Sequence, residues 1–179
     1  MCGIAGRILN APGQVGRDLV NLMDAQEHRG ADSTGFAVYG SPMEQGYVLR
    51  GMGFDKAQMD SDLDAFRHVL KDHGSDLMGD PTIVTDAAKH YCFRMEIKDP
   101  KNLQAWVADA DDLTDRIEVQ SCGRSLEIIK DIGGAEQVSE KHKVHDMIGT
   151  HGLGHARLAP ESSVLPNASH PFWTRPFSD

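Results

Sequence analysis

The chain has 179 residues, of which 40% are hydrophobic and 25% charged, and its formal net charge is −9, from 18 basic and 27 acidic side chains. The length fits one globular domain. The acidic balance disfavours nucleic acid and anionic membranes as partners, and no apolar run approaches the ~18 residues of a membrane span. The three cysteines, Cys2, Cys92 and Cys122, are odd in number and far apart, which disfavours a disulfide framework and fits a reducing cytoplasm.

The first elements predict a strand followed by a helix. Residues 2–9 are rich in β-compatible side chains, and Asn-Ala-Pro-Gly at 10–13 predicts a turn that ends the strand. Residues 17–27 carry apolar side chains at helical spacing, including Leu19 and Met23. We therefore expect an amphipathic helix that covers one face of the sheet to which the first strand belongs.

A polar loop with glycines at both ends follows at 28–35 and leads into a short strand at 36–39. A second strand is predicted at 47–50, after a turn at 40–46. The two strands are expected to pair with each other beside the first strand, as one antiparallel sheet.

The composition changes in the middle of the chain, at about 54–143. It predicts a β-α-β-β-like block, which we interpret as an inserted subdomain because it lacks the low-complexity runs of a linker. Its predicted elements are helices at 56–71, 103–113 and 136–143 and strands at 90–97, 116–121 and 125–132. Cys92 and Cys122 fall in apolar alternating stretches of this block and are expected to be buried structural thiols.

The last informative stretch, 149–161, predicts a strand whose three glycines at 149, 152 and 154 permit close backbone approach. It carries Arg157 between apolar neighbours. An arginine in an apolar strand is costly to bury without an anionic partner, and a carboxylate held by its planar fork would supply one. The alternative is a structural salt bridge. His151 and His155 lie four residues apart on this strand, a spacing that does not direct them to one metal ion, so no metal site is expected.

Cys2 becomes the N-terminal residue once Met1 is removed. It would then carry both a thiol and a free α-amino group, with ordinary pKa values of about 8.5 and 7.7–8. A thiol is a strong nucleophile, and an N-terminal amine is an accepted activating base. The alternative is that Cys2 is only a small apolar residue in the first strand.

Three motifs stand in order along the chain: Met-Cys-Gly-Ile-Ala-Gly at 1–6, Arg-Gly-Ala-Asp-Ser-Thr-Gly at 29–35 and Gly-His-Ala-Arg-Leu-Ala at 154–159. In combination they resemble the class II glutamine amidotransferase domain, an N-terminal-nucleophile hydrolase. The size of the insert and the Ser-His-Pro-Phe run at 169–172 are most similar to the stand-alone amidotransferase subunits related to glutamate synthase, which include the methylglutamate-synthase type.

The resemblance implies an α+β fold, the four-layer αββα sandwich of two antiparallel sheets between helices, with the nucleophile Cys2 on a central strand. It implies that Arg157 binds the α-carboxylate of glutamine, that Arg29 and Gly30 shape the loop beside the Cys2 amine, and that Ala159 belongs to the substrate site. The reaction would be hydrolysis of glutamine to glutamate and ammonia through a γ-glutamyl thioester. Ammonia would pass to a partner synthase, and no cofactor would be needed.

The chain departs from the family at two places. Pro160 stands where the family has a threonine that helps to hold the substrate, and the Asn-Gly pair of the family's oxyanion hole would come after Asp179. We therefore expect residues 1–179 to be the front part of a domain of roughly 250–300 residues. Two alternatives stay open: another N-terminal-nucleophile amidohydrolase, and a non-catalytic regulatory or scaffold subunit of the same fold.

Overall fold

The structure is a computed structural model that describes residues 2–30, 32–111, 113, 115–158 and 169–174, with the backbone alone at Asp111. The described residues form eight strands and four α-helices. The strands are β1 (Gly3–Gly13), β2 (Ser33–Tyr39), β3 (Tyr47–Gly53), β4 (Thr82–Thr85), β5 (Tyr91–Ile97), β6 (Ile117–Gly123), β7 (Leu126–Ile132) and β8 (Gly149–Arg157). The helices are α1 (Val15–Asp24), α2 (Met59–Asp72), α3 (Leu103–Asp111) and α4 (Ala135–His142).

These elements make two antiparallel sheets in two compact units, which confirms the α+β class and is compatible with a sandwich. Unit 1 contains the described residues of Met1–Ser41 and Ser125–Phe172, and unit 2 those of Pro42–Arg124 with Trp173 and Thr174. Among the described residues, no helix combines the length and apolarity that crossing a bilayer requires.

Unit 1 is a sheet with the strand order β1-β8-β2-β7, covered on one face by α1 and α4. The predicted apolar stripe of the first helix is confirmed, because Leu19 and Met23 of α1 are fully buried in the core of this unit. The rest of that core is built from Val15, Val20, Phe36, Val38, Ile129, Ala135, Val138, Val144 and Ala156. β1 is an outer strand of the described sheet. The resemblance implies instead that the strand carrying Cys2 is central.

The glycines of β8 explain how α1 lies so close to the sheet. A Cβ atom on Gly154 would lie 2.5 Å from Cγ of Met23, and one on Gly152 would lie 2.8 Å from Cδ1 of Leu19. The close approach predicted for these glycines is therefore, at these two positions, the approach of helix α1.

Unit 2 is a sheet with the strand order β4-β5-β3-β6. Phe66 of α2 and Trp106 of α3 pack edge-to-face in its core, with their ring centroids 6.1 Å apart. Cys92 and Cys122 are buried, as predicted.

A buried carboxylate, Asp62 of α2, accepts a hydrogen bond from Nε of Arg116 at 2.7 Å and contacts the Tyr91 hydroxyl at 3.4 Å.

Two predictions about the elements are wrong, and one strand was missed. The turn predicted at 10–13 does not end the strand, because β1 continues to Gly13 with a register shift between Ile8 and Gly13. The strands at 33–39 and 47–53 do not pair, because β2 lies between β8 and β7 while β3 lies between β5 and β6. β4 was not predicted at all.

The insert predicted at about 54–143 stays a prediction. The two compact units divide the chain at other positions, but an insert is defined against the length of relatives and not by compactness.

Candidate functional site

The predicted nucleophile lies at one end of the unit 1 sheet. Because the neighbouring strands are antiparallel, the beginnings of β1 and β2 meet the ends of β8 and β7 there. Gly3 pairs with Ala156, and Ser33 pairs with Arg157. Cys2 directly precedes Gly3 and Arg157 directly follows Ala156, so the register of the pair, continued by one residue, would set the two opposite each other. The structure thus brings Cys2 and Arg157 to the same end of neighbouring strands.

The two side chains also share a face of the sheet. Ala5 and Ala156 pack into the core beneath α1, and side chains alternate between faces along a strand. Ile4 on β1, with His155 and Arg157 on β8, is therefore directed to the opposite face, and the same alternation continued by one position directs Cys2 there. Cys2 is exposed and Ile4 is 71% exposed.

The loop that carries Arg29 and Gly30 lies against both strands. It begins as a 3-10 helix, Glu27–Arg29, in which the backbone N–H of Gly30 donates to the Glu27 carbonyl at 2.9 Å. A Cβ atom on Gly3 would lie 3.4 Å from Cβ of Arg29, and one on Gly30 would lie 2.5 Å from the carbonyl carbon of Arg157. The side chain of Arg29 is exposed, while Gly30 is buried.

Hydrogen bonds fix the start of β2 at this end of the sheet. The N–H of Asp32 donates to the Arg157 carbonyl at 3.2 Å, and the Asp32 carbonyl accepts from the N–H of Gly133 at 3.1 Å. The Thr34 hydroxyl donates to the Gly133 carbonyl at 2.8 Å. The backbone of Arg157 is thus bonded to the residue before β2, and that residue is bonded in turn to the turn after β7.

Residues 169–172 pack onto the same face of β2. Two fully buried hydroxyls, Ser33 and Ser169, lie 2.6 Å apart in a hydrogen bond. The carbonyl oxygen of His170 occupies the space that a Cβ atom on Gly35 would need. The His170 ring then contacts the ring of His155, with centroids 4.9 Å apart.

His155 is a residue of this site that the sequence analysis did not select. Its side chain is 4% exposed, and burial, then His170 and Arg157, hold its pKa below the ordinary value of 6.5. The motif at 154–159 contains His155, but the sequence offers no sign that its ring is buried beside a cation. The remaining predicted site residue, Ala159, lies outside the described residues, as does Pro160.

The arrangement offers complementary groups to an amino-acid amide. An exposed thiol and a guanidinium lie on one face, at one end of two paired strands. The guanidinium can bind a carboxylate by two parallel hydrogen bonds. The thiol can attack a carbonyl carbon.

Comparison with known proteins agrees with this chemistry. The chain is 31% identical to a protein of Methanothermobacter thermautotrophicus named "Putative glutamine amidotransferase", over 96% of this chain and 56% of that protein. It is 30% identical to the glutamine amidotransferase-like protein GlxB of Rhizobium meliloti, over 97% of this chain and 55% of that protein. No family model matches the chain. Both relatives are named for glutamine amidotransfer, and the chain spans about half the length of each.

Proposed function

We propose that this protein is a glutamine amidotransferase of the class II, N-terminal-nucleophile type, which hydrolyses glutamine to glutamate and ammonia. Cys2 is the nucleophile, with its own α-amino group as the base after removal of Met1. Arg157 binds the α-carboxylate of glutamine, and Arg29, Gly30 and Ala159 line the substrate site. The names of the two relatives support the amidotransferase assignment.

One observation carries the proposal. The pairing of Gly3 with Ala156 supports it, because the residues next to this pair, Cys2 and Arg157, carry a thiol and a guanidinium at the same end of neighbouring strands. Glutamine carries a carboxylate at one end and an amide at the other, so the same molecule can contact both groups. An amidohydrolase for apolar substrates would have no use for a cation beside its nucleophile, which is why glutamine is the favoured substrate.

The reaction proceeds in two acyl-transfer steps. The sulfur of Cys2 attacks the side-chain amide carbon of glutamine, while the α-amine takes the thiol proton and passes it to the departing ammonia. Water then hydrolyses the γ-glutamyl thioester and releases glutamate. Both steps pass through an oxyanion, which hydrogen-bond donors must stabilise.

Glutamine hydrolysis by the natural gene product tests the proposal. Cys2→Ala and Cys2→Ser should each abolish ammonia release, while Cys92→Ala, which alters a buried thiol elsewhere, should keep it. The intact mass of the active protein should lack Met1, because an amide nitrogen cannot act as the base. Substantial glutaminase activity in Cys2→Ala, or in protein that retains Met1, would refute the assignment of the nucleophile.

We also propose that the ammonia is delivered to a partner synthase. Glutamine labelled with ¹⁵N at the side-chain amide should transfer the label to the product of that synthase when both proteins are present. Equal labelling of that product from glutamine and from free ¹⁵N-ammonium at the same low concentration would show that this protein does not pass ammonia directly to the synthase.

A further inference from the structure

β1 carries exposed apolar side chains on the face of the unit 1 sheet that is turned away from α1. Because Ala5 packs into the core beneath α1, the alternation of side chains directs Ile4 and Ile8 to the other face. Ile4 is 71% exposed and Ile8 is 83% exposed. Leu153, which pairs with Gly6 from the neighbouring strand β8, is 38% exposed on that face. We call the apolar surface formed by Ile4, Gly6, Ile8 and Leu153 the β1 surface.

The edge of β1 beside this surface is also open. Among the residues that the structure describes, β1 pairs with β8 alone. Proteins usually protect such outer strands with charged side chains, proline or bulges. The one charged side chain of β1, Arg7, lies on the α1 side, where its Nε donates to Asp18 at 2.8 Å. Pro12 comes only after Ile8, within the register shift. From Gly3 to Ile8 neither the edge nor the exposed face is protected, which indicates that a further segment packs there.

Two observations indicate that this segment belongs to the same polypeptide. Nearly half of each relative lies outside the part that matches this chain. Residues 169–172 already lie on the same face of the sheet, where the ring of His170 contacts that of His155, the residue opposite Ile4. The chain therefore runs over this face next to the β1 surface. Since the proposed function makes Cys2 the N-terminal residue, the additional residues would follow Asp179.

A second copy of the chain fits the β1 surface less well. Pairing of two β1 edges would extend the sheet from one molecule into the other, but it would leave the exposed face of β1 open. Each chain also has a net charge of −9, so two copies repel each other. A segment of the same polypeptide can cover the face as well as the edge.

We propose that residues following Asp179 in the natural polypeptide pack over the β1 surface and cover Ile4 and Ile8, an inference that rests on the proposed function for the N-terminal position of Cys2. His155 and Arg157 lie on the same face as the β1 surface, so the covering segment also borders the candidate site. The glutamine site is then complete only in the longer polypeptide.

Hydroxyl-radical footprinting of the unmodified natural protein tests the cover without any substitution. The comparison is between Ile8 and Leu22, an apolar residue on α1 that is 40% exposed. If the β1 surface is covered, Ile8 should be oxidised more slowly than Leu22. Oxidation of Ile8 as fast as or faster than Leu22, the order of their exposures in residues 1–179, would overturn the inference.

Thiol labelling gives the size of the protection. In natural protein with Cys2→Ala, maleimide should label Ile8→Cys at least about tenfold more slowly than Arg17→Cys, since a covered side chain reacts only after local opening. Arg17 is the matched control because it is exposed on α1, and in urea the two rates should be equal. Equal rates in the folded protein, or protection of Ile8→Cys that disappears on dilution, would overturn the inference, the second result in favour of a second copy.

Photocrosslinking identifies the covering segment. A diazirine-bearing amino acid in place of Ile8 should crosslink to a peptide that follows Asp179 in the same molecule. Crosslinks only to residues 1–179, or only between two molecules, would overturn the inference. None of these measurements depends on glutamine hydrolysis, so failure of the proposed function is seen separately, as absence of ammonia release by the unmodified protein.

Discussion

Gly30 lies directly on the backbone of Arg157. A Cβ atom at Gly30 would lie 2.5 Å from the carbonyl carbon of Arg157 and from the nitrogen of Leu158. Both atoms belong to the main chain, so no side-chain rotation can relieve the contact. The loop beside Cys2 and the strand end that carries the guanidinium are therefore fixed against each other by a residue without a side chain.

Gly30→Ala should consequently displace Arg157. We expect a loss of about 1–3 kcal/mol in the free energy of unfolding, as for other overpacked sites. We also expect kcat/KM for glutamine to fall about 100-fold, since a 1 Å misplacement can cost that much. Gly79→Ala is the control, because a Cβ atom there would meet nothing within 4 Å. Unchanged glutamine kinetics in Gly30→Ala would contradict the role given to this contact.

The hydroxyl pair of Ser33 and Ser169 should hold residues 169–172 on the sheet. Ser33→Ala or Ser169→Ala alone leaves one buried hydroxyl without a partner and should cost about 1–3 kcal/mol. The double substitution should cost less than the sum of the two, because it removes both polar groups. Urea unfolding of the four proteins measures this coupling. Strictly additive losses would mean that the 2.6 Å contact contributes nothing to stability.

Local patterns in the sequence predicted most elements correctly, but not their pairing. The apolar stripe of α1 and the alternation in β5 depend on neighbours within the same segment, so they can be read from sequence alone. The partners of β2 cannot, since β7 and β8 lie about a hundred residues away and occupy both of its edges. The expected hairpin with β3 was therefore wrong.

The candidate site shows the same division. Cys2 and Arg157 were selected for their chemistry, and Arg29 and Gly30 through a family resemblance. His155 and Ser169 were not selected, because a histidine or a serine cannot be assigned to a site by its residue type unless its burial and its partners are known. Burial of His155 depends on β1, β2 and the 169–172 segment together, none of which is adjacent to it in sequence.

Asp62 is expected to be the charged residue on which unit 2 depends most. Its carboxylate is 2% exposed and pairs with Arg116 at 2.6 Å. Asp62→Ala should cost about 3 kcal/mol, the lower end for a broken buried ion pair, because the Arg116 side chain is 38% exposed and regains water. Asp64→Ala on the same helix removes an exposed pair with Arg67 and should cost under about 0.5 kcal/mol. Equal losses of unfolding free energy in Asp62→Ala and Asp64→Ala, measured by thermal unfolding, would show that the burial of Asp62 does not matter for stability.

Tyr91 should make stability depend on alkaline pH. Burial, and then the Asp62 carboxylate, raise its pKa well above the ordinary value of 10. The folded state therefore keeps the phenol proton at pH values where the unfolded state loses it, and stability should fall as pH rises beyond 10. In Tyr91→Phe the free energy of unfolding should decrease less between pH 10 and higher pH. The variant should also lack the part of the phenolate absorbance that appears only well above pH 10 in the unmodified protein. An identical alkaline stability profile in Tyr91→Phe would refute the prediction.

Arg157→Lys separates the glutaminase from the alternatives. Lysine keeps the positive charge but loses the two-pronged geometry that fits a carboxylate. A charge-assisted contact of this kind is worth about 1.5–3 kcal/mol, so kcat/KM for glutamine should fall roughly 10- to 150-fold. Glutamine α-amide, which has no carboxylate, should be a poor substrate of the unmodified protein and no worse for the variant. If Arg157 were only structural, the variant would have a lower melting temperature, and kcat/KM would fall equally for glutamine and for glutamine α-amide. Cys2 would then be a nucleophile without a glutamine site.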